Sequence, residues 1–154
     1  MTRIEIRAED PDSKAAQWCL GEYFRELHVR FEGGFDLARY GGTNAAAITP
    51  PHGLFVLAWR GNDAVGCGSI SFRDGRYGEI KRMWVAPQVR GQGLSRLLLR
   101  HLEEAARAAA MTAVRLDTNR VLSEAQALYR KAGYSEIARF GDNPYAHHWF
   151  EKLL

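Results

Sequence analysis

Gly91 and Gly93 stand two residues apart in the stretch Gln88-Val-Arg-Gly-Gln-Gly-Leu-Ser95, between a strand-like run and a leucine-rich one. Glycine lets a backbone come close to a ligand and turn its N–H groups toward it. A helix that begins at the same point adds partial positive charge, and Arg90 and Arg96 add full charges beside it. The pattern suits a phosphate or pyrophosphate, although a plain tight turn would use the same glycines. Two familiar phosphate loops do not fit. A P-loop needs Gly-Lys-Ser/Thr, whereas Gly93 is followed by Leu94-Ser95. The dinucleotide fingerprint needs a third glycine where Arg96 stands, and it belongs in the first βαβ unit of a parallel sheet.

The elements that must hold this loop follow from periodicity. Arg3 to Arg7 reads as a short strand with Ile4 and Ile6 on one face. Ser13 caps a helix in which Ala16, Leu20, Tyr23, Phe24 and Leu27 fall at helical spacing. Residues 30–51 are irregular, with Gly33-Gly34, Gly41-Gly42 and Pro50-Pro51 and a short helix around Phe35 to Tyr40; they form a rim of the kind that carries specificity. Strands over Leu54–Trp59, Ala64–Phe72 and Glu79–Val85 are joined by hairpin turns at Gly61-Asn62-Asp63 and Asp74-Gly75, so they are antiparallel neighbours. Leu94, Leu97, Leu98, Leu102, Ala105 and Ala109 mark an amphipathic helix. A strand at Val114–Asp117, a helix over Ser123–Lys131 capped by Ser123 and closed by Gly133, and strands at Ser135–Arg139 and His147–Lys152 complete the order. The fold class is α/β, an α+β mixed sheet with antiparallel hairpins first and a crossover helix later, in one domain over residues 1–154.

Gln88-x-x-Gly91-x-Gly93 resembles the acetyl-CoA pyrophosphate signature of the GNAT superfamily. Glu79-Ile-Lys-Arg-Met-Trp-Val-Ala-Pro87 is similar to that family's fourth strand, and Asn119 through Leu128-Tyr129 and Gly133-Tyr134 to its second cofactor motif. The resemblance covers Leu54 to Leu154, while the N-terminal third matches only in element order. It implies a mostly antiparallel sheet of roughly seven strands with splayed fourth and fifth strands, and roughly four helices. It also implies acetyl-CoA as co-substrate, its pantetheine arm paired with the backbone of Met83, Trp84 and Val85. The loop from Gln88 through Val89, Arg90, Gly91, Gln92, Gly93 and Leu94, with Ser95 and Arg96, would hold the pyrophosphate. Asn119 would contact the cofactor's arm, and the Tyr129 hydroxyl would sit by the thioester sulfur.

Acyl transfer to an amine sets its own demands. A lysine-like ammonium with pKa ~10.4 is neutral only about 0.04% of the time at pH 7, so a positioned base has much to gain. Glu79, at the start of the strand with the cofactor contacts, is the candidate base; a solvated strand-end carboxylate is the alternative. Tyr129 is the candidate acid for the leaving thiolate, the alternative being a tyrosine packed by its ring. Tyr134 reads as core. For the acceptor, Glu26 and Asp36 among aromatic residues that include Phe35 suit an ammonium, and Arg30 and Arg39 suit a carboxylate, which favours an amino-acid-like amine. The expected reaction is acetyl transfer to a small-molecule primary amine. The alternatives are a lysine or N-terminal protein acetyltransferase and a non-catalytic acyl-CoA-binding domain.

Composition agrees. Hydrophobic residues make up 46% and charged residues 25%, and the net charge of +3 fits an anionic small ligand without any basic run that marks a nucleic-acid surface. No apolar run spans a membrane, and the start lacks a signal peptide's apolar stretch, which points to the cytoplasm. Cys19 and Cys67 lack metal or redox spacing and read as reduced structural thiols. Adjacent His147 and His148 point to opposite faces of a strand and cannot share one ion, so no metal is expected; His28 and His101 read as surface positions. Self-association into a homodimer is left open.

Overall fold

The computed structural model describes residues 3–40 and 44–154; the Gly41-Gly42 pair of the irregular stretch lies outside them. Seven strands form one sheet in the order β1-β2-β3-β4-β5-β7-β6. They are β1 (Ile4–Ala8), β2 (Gly53–Arg60), β3 (Asp63–Arg73), β4 (Tyr77–Val85), β5 (Ala113–Thr118), β6 (Ser135–Ile137) and β7 (His148–Leu153). The helices are α1 (Lys14–Arg30), the single turn α2 (Leu37–Tyr40), α3 (Leu94–Ala108) and α4 (Ser123–Lys131). Every neighbouring pair of strands is antiparallel except β4–β5, which is parallel and bridged by α3. No described helix is long and apolar enough to cross a membrane.

The hairpins follow from their turns. Asp74 (φ 53°) and Gly75 (φ 64°) both occupy the left-handed region, which matches the twist of β3 and β4, and Arg76 N–H donates to Arg73 O at 2.9 Å. Ser13 caps α1 as its type predicts, its Oγ accepting from Ala16 N–H at 3.1 Å. The apolar stripe of α3 packs on one sheet face: Leu98 lies under Gly66, Leu102 under Gly68 and Ala106 under Gly78. Cys19 of α1 and Cys67 of β3 are fully buried free thiols.

Three readings need correction. Ser123 is the first residue of α4 rather than its cap. Leu122 holds the cap position without a side-chain bond, and the turn before it is tied by Asn119 Oδ1, which accepts from Val121 N–H at 3.0 Å. The sixth strand stops at Ile137, and the seventh begins at His148, because His147 is used locally: its Nδ1 accepts from Arg120 N–H at 3.1 Å. Leu97 leaves the apolar stripe of α3 and is 47% exposed, while Leu99 and Glu103 take buried positions. Glu103 is satisfied there by the Tyr134 hydroxyl at 2.8 Å and Lys152 Nζ at 3.2 Å, which makes Tyr134 a core residue.

Two irregularities of β4 open the sheet. Its register with β5 covers only Tyr77↔Ala113, Gly78↔Val114 and Glu79↔Arg115, and beyond that point the two strands part. Its register with β3 jumps from Ser69↔Lys81 to Cys67↔Trp84, so Arg82 and Met83 oppose Gly68 alone. Arg82 takes φ 60°, the conformation of a β-bulge, and the bulge re-aims the side chains of Lys81 to Met83.

Candidate active site

Past the bulge, β4 ends at Val85, and a 3-10 turn at Pro87–Val89 leads to Gly91 (φ 78°) and Gly93 (φ 81°). Gly93 occupies the N-cap of α3, and no described side chain caps the first amides of the helix. A Cβ at either glycine would meet nothing within 4 Å, so what requires glycine is the backbone angle and the open approach. A groove of about 520 Å³ runs from this loop into the gap between β4 and β5. Met83, Trp84 and Val85 form one wall, and Val89, Arg90, Gly91, Gly93, Leu94, Ser95 and Arg96 form its end. Gln88 and Gln92 are exposed and line no part of it.

Charges on α1 and α4 face each other across the groove. Arg90 donates through Nε to Val85 O at 2.9 Å and pairs through Nη2 with Glu26. Trp84 Nε1 also donates to Glu26, at 3.3 Å. Arg30 pairs with Glu124 and donates to Val121 O at 3.1 Å, and its guanidinium holds the Glu124 carboxyl below the usual carboxylate range. Glu26 and Arg30, read from the sequence as acceptor contacts, therefore stand on the groove side.

A second, smaller cavity of about 90 Å³ opens on the other side of the gap. Phe35 is its hub, with ring centroids 5.0 Å from Tyr145, 5.3 Å from Tyr40, 5.5 Å from Phe24 and 6.0 Å from Phe31. Asp36 stays on the rim, where its backbone N–H donates to the Tyr145 hydroxyl at 2.8 Å. Asn119 lines this cavity rather than the groove and donates to Tyr145 O at 2.8 Å, which anchors the loop before β7. Lys81, Arg82 and Asp117 supply the cavity's charge. Asp117 is half-buried, and loss of solvent raises its carboxyl above the usual range against the opposing pull of Asn143, whose Nδ2 donates to Oδ1 at 2.9 Å.

Tyr23, Leu27, Met83, Leu122, Ala125 and Tyr129 line both spaces, so the two cavities meet at their side chains. Tyr129 is buried, and that burial, with the charges of Asp117 and Glu124, raises its hydroxyl well above the ordinary tyrosine value. It therefore stays protonated at neutral pH and can donate. Glu79 is only 8% exposed, with its carboxylate 3.1 Å from Arg73 Nη2 and 3.9 Å from Lys81 Nζ. It lines neither cavity, though it shares a sheet face with Lys81.

A groove ending at an uncapped helix start, beside parted parallel strands, is the arrangement that the resemblance implied. The model of the acetyltransferase (GNAT) family matches residues 13–134. The chain belongs to the GNAT family. It is 41% identical to the IAA acetyltransferase of Azospirillum brasilense over 95 residues, covering 61% of this chain and 62% of that protein. The chain thus matches about three-fifths of that relative's length. Its fold is that of a GNAT-family acetyltransferase from Staphylococcus aureus Mu50, with TM-score 0.80 at 18% identity over 98% and 99% of the two chains. It is also that of the PaiA N-acetyltransferase from Thermoplasma acidophilum, crystallised with coenzyme A, with TM-score 0.75 at 18% identity over 99% of both chains. As a GNAT sheet it carries the expected splay of the fourth and fifth strands. Sequence reasoning missed Asp117, Lys81, Asn143 and Tyr145. Asp117 lies two positions from Asn119 and could have been read as pointing to the same face; nothing local marks Asn143 or Tyr145.

Proposed function

We propose that the chain transfers the acetyl group of acetyl-CoA to the primary amine of a small molecule, by direct attack within a ternary complex. The observation that carries this reading is the junction of two cavities at Tyr129. A thioester in the long groove and an amine in the small cavity would meet there. The groove suits CoA: the amides opening α3 and the Arg96 guanidinium for the pyrophosphate, and the open edge of β4 for the amide-bearing arm. The PaiA N-acetyltransferase, of the same fold, binds coenzyme A.

The acceptor ammonium gives one proton to a base, and its nitrogen attacks the thioester carbon. The C–S bond breaks, Tyr129 protonates the thiolate, and the second proton leaving nitrogen restores Tyr129. Glu79 is the proposed base, and since it lines neither cavity it would act through water. Asp117, which does line the acceptor cavity, is the second carboxylate able to take that proton. Walls built from α1, α2 and residues 143–145 enclose the smaller cavity, which favours a small acceptor over a protein segment. A cytoplasmic setting, where thiols stay reduced, agrees with two buried free cysteines.

The test is release of free thiol from acetyl-CoA against amines, amino acids, polyamines and lysine peptides, with both substrate concentrations varied. Turnover of a small amine with intersecting double-reciprocal lines is expected. Parallel lines would indicate an acyl-enzyme instead of a ternary complex. CoA binding without turnover of any acceptor would leave a binding domain.

A further inference from the structure

The acceptor cavity carries more information than its size. Its two asparagines are spent on the scaffold: Asn119 donates to Tyr145 O and accepts from Val121 N–H, and Asn143 donates to Asp117 and accepts from Tyr145 N–H at 3.0 Å. What remains to recognise a ligand is the charged side chains, the Thr118 hydroxyl and an aromatic and aliphatic wall. No described residue donates to the second oxygen of Asp117. Lys81 Nζ stands 5.2 Å from the centroid of Tyr40, on the strand facing Asp117 across the gap, and its contact with Glu79 is long at 3.9 Å. Glu79 is already matched more closely by Arg73. Arg82, over the Phe24 ring at 5.6 Å, is the cavity's second cation.

Lys81 on β4 and Asp117 on β5 set opposite charges in one cavity, and that pair decides between ligand classes. A plain monoamine or a polyamine would set its positive charge near Lys81 with nothing of opposite sign to offer it, and like charge at close range is a cost. An acceptor with its own carboxylate would match the site, its ammonium toward Asp117 and its carboxylate toward Lys81. Most of the rest of the wall is apolar, aromatic rings together with Leu27, Ile80, Met83, Leu122 and Ala125, which suits an apolar side chain. Resting on the acetyl-transfer reading above, we infer that the acceptor is a free α-amino acid with an apolar or aromatic side chain, oriented between Asp117 and Lys81. The carboxylate-holding cation is thus on β4; of the two arginines expected from the sequence, Arg30 pairs with Glu124 at the groove, and Arg39 lies over the Tyr145 ring at 5.6 Å.

Matched pairs test this. Leucine and isopentylamine, and phenylalanine and phenethylamine, differ only by the carboxylate. Each is assayed for thiol release with acetyl-CoA, and separately for its effect on the melting temperature of the CoA-loaded protein. Wild type is expected to use the amino acids with kcat/KM at least about tenfold higher, a difference of about 1.4 kcal/mol. Lys81→Met should erase that ratio by weakening the amino acids alone, with its CoA-induced melting shift intact as the control for folding. Asp117→Asn should weaken both members of each pair. Equal or better use of the decarboxylated amines, or a ratio unchanged in Lys81→Met, overturns the assignment while acetyl transfer stands. Amino acids that shift melting of the CoA-loaded protein with no thiol released would support the pocket and sink the acetyl-transfer reading. Absence of both effects overturns the assignment.

Discussion

Tyr129 is one of the six residues that line both cavities, and its proposed role separates cleanly from its packing. Tyr129→Phe keeps the ring among Tyr134 and Phe150, with centroids at 5.9 and 6.0 Å, so fold and CoA binding should survive. It removes only a proton donor, and kcat should fall roughly 10–10³-fold; an unchanged kcat would reduce Tyr129 to a wall. The two carboxylates are distinguished by pH. Asp117 has its pKa raised by burial, so if it is the base the acid limb of kcat/KM lies above the usual carboxylate range, and Asp117→Asn abolishes that limb. If Glu79 is the base, Glu79→Gln lowers kcat/KM while Asp117→Asn leaves the pH profile unchanged. The same shift makes a stability statement. A raised folded pKa means that the native state binds more protons than the unfolded one, so stability falls as pH rises through that window. Asp117→Asn, which keeps the oxygen facing Asn143, should therefore melt higher than wild type at neutral pH and lose that advantage in acid, as read by thermal denaturation.

At the scale of elements, the glycine turn before α3 is the part whose chemistry is in the backbone. Both glycines hold positive φ, where a side chain costs about 1–2 kcal/mol. A Cβ there meets no protein atom, so Gly91→Asp and Gly93→Val should fold. Either would put bulk where phosphate oxygens approach, and Asp would add a repelling charge. CoA affinity should fall by at least about tenfold, more than 1.4 kcal/mol, in a titration by calorimetry. Wild-type affinity in both variants would make the turn merely structural.

Across the whole molecule, the groove lies where β4 leaves β5, spanned by ion pairs between α1, α4 and the loop after β4. A ligand there touches several elements at once and stabilises only the folded state. At about 100 times its Kd, CoA should add about 2.7 kcal/mol and raise the melting temperature by about 5–10 °C. ADP should act in the same direction through the phosphates. Stabilisation by NAD with no response to CoA would mean that the cradle holds a different ligand.

The sequence determined what is local or strictly periodic: the Asp74-Gly75 hairpin, the Ser13 cap, the leucine face of α3, and the pair Gly91 and Gly93 that opens it. It also located Tyr129, because its motif is contiguous. Tertiary structure alone decided the rest. Whether Glu79 faces a cavity depends on Arg73 and on the bulge at Arg82, and neither residue carries that role in its type. Glu26 and Arg30 lie next to the aromatic residues of the smaller cavity in sequence, yet one helical face turns them to the long groove, where Arg90 and Glu124 neutralise them. Asp117 comes to line a cavity only because β4 parts from β5 beyond Arg115 and residues 143–145 fold back over it. A single sequence shows which residues can carry charge; which charges share one desolvated space is settled by pairing between strands far apart in the chain.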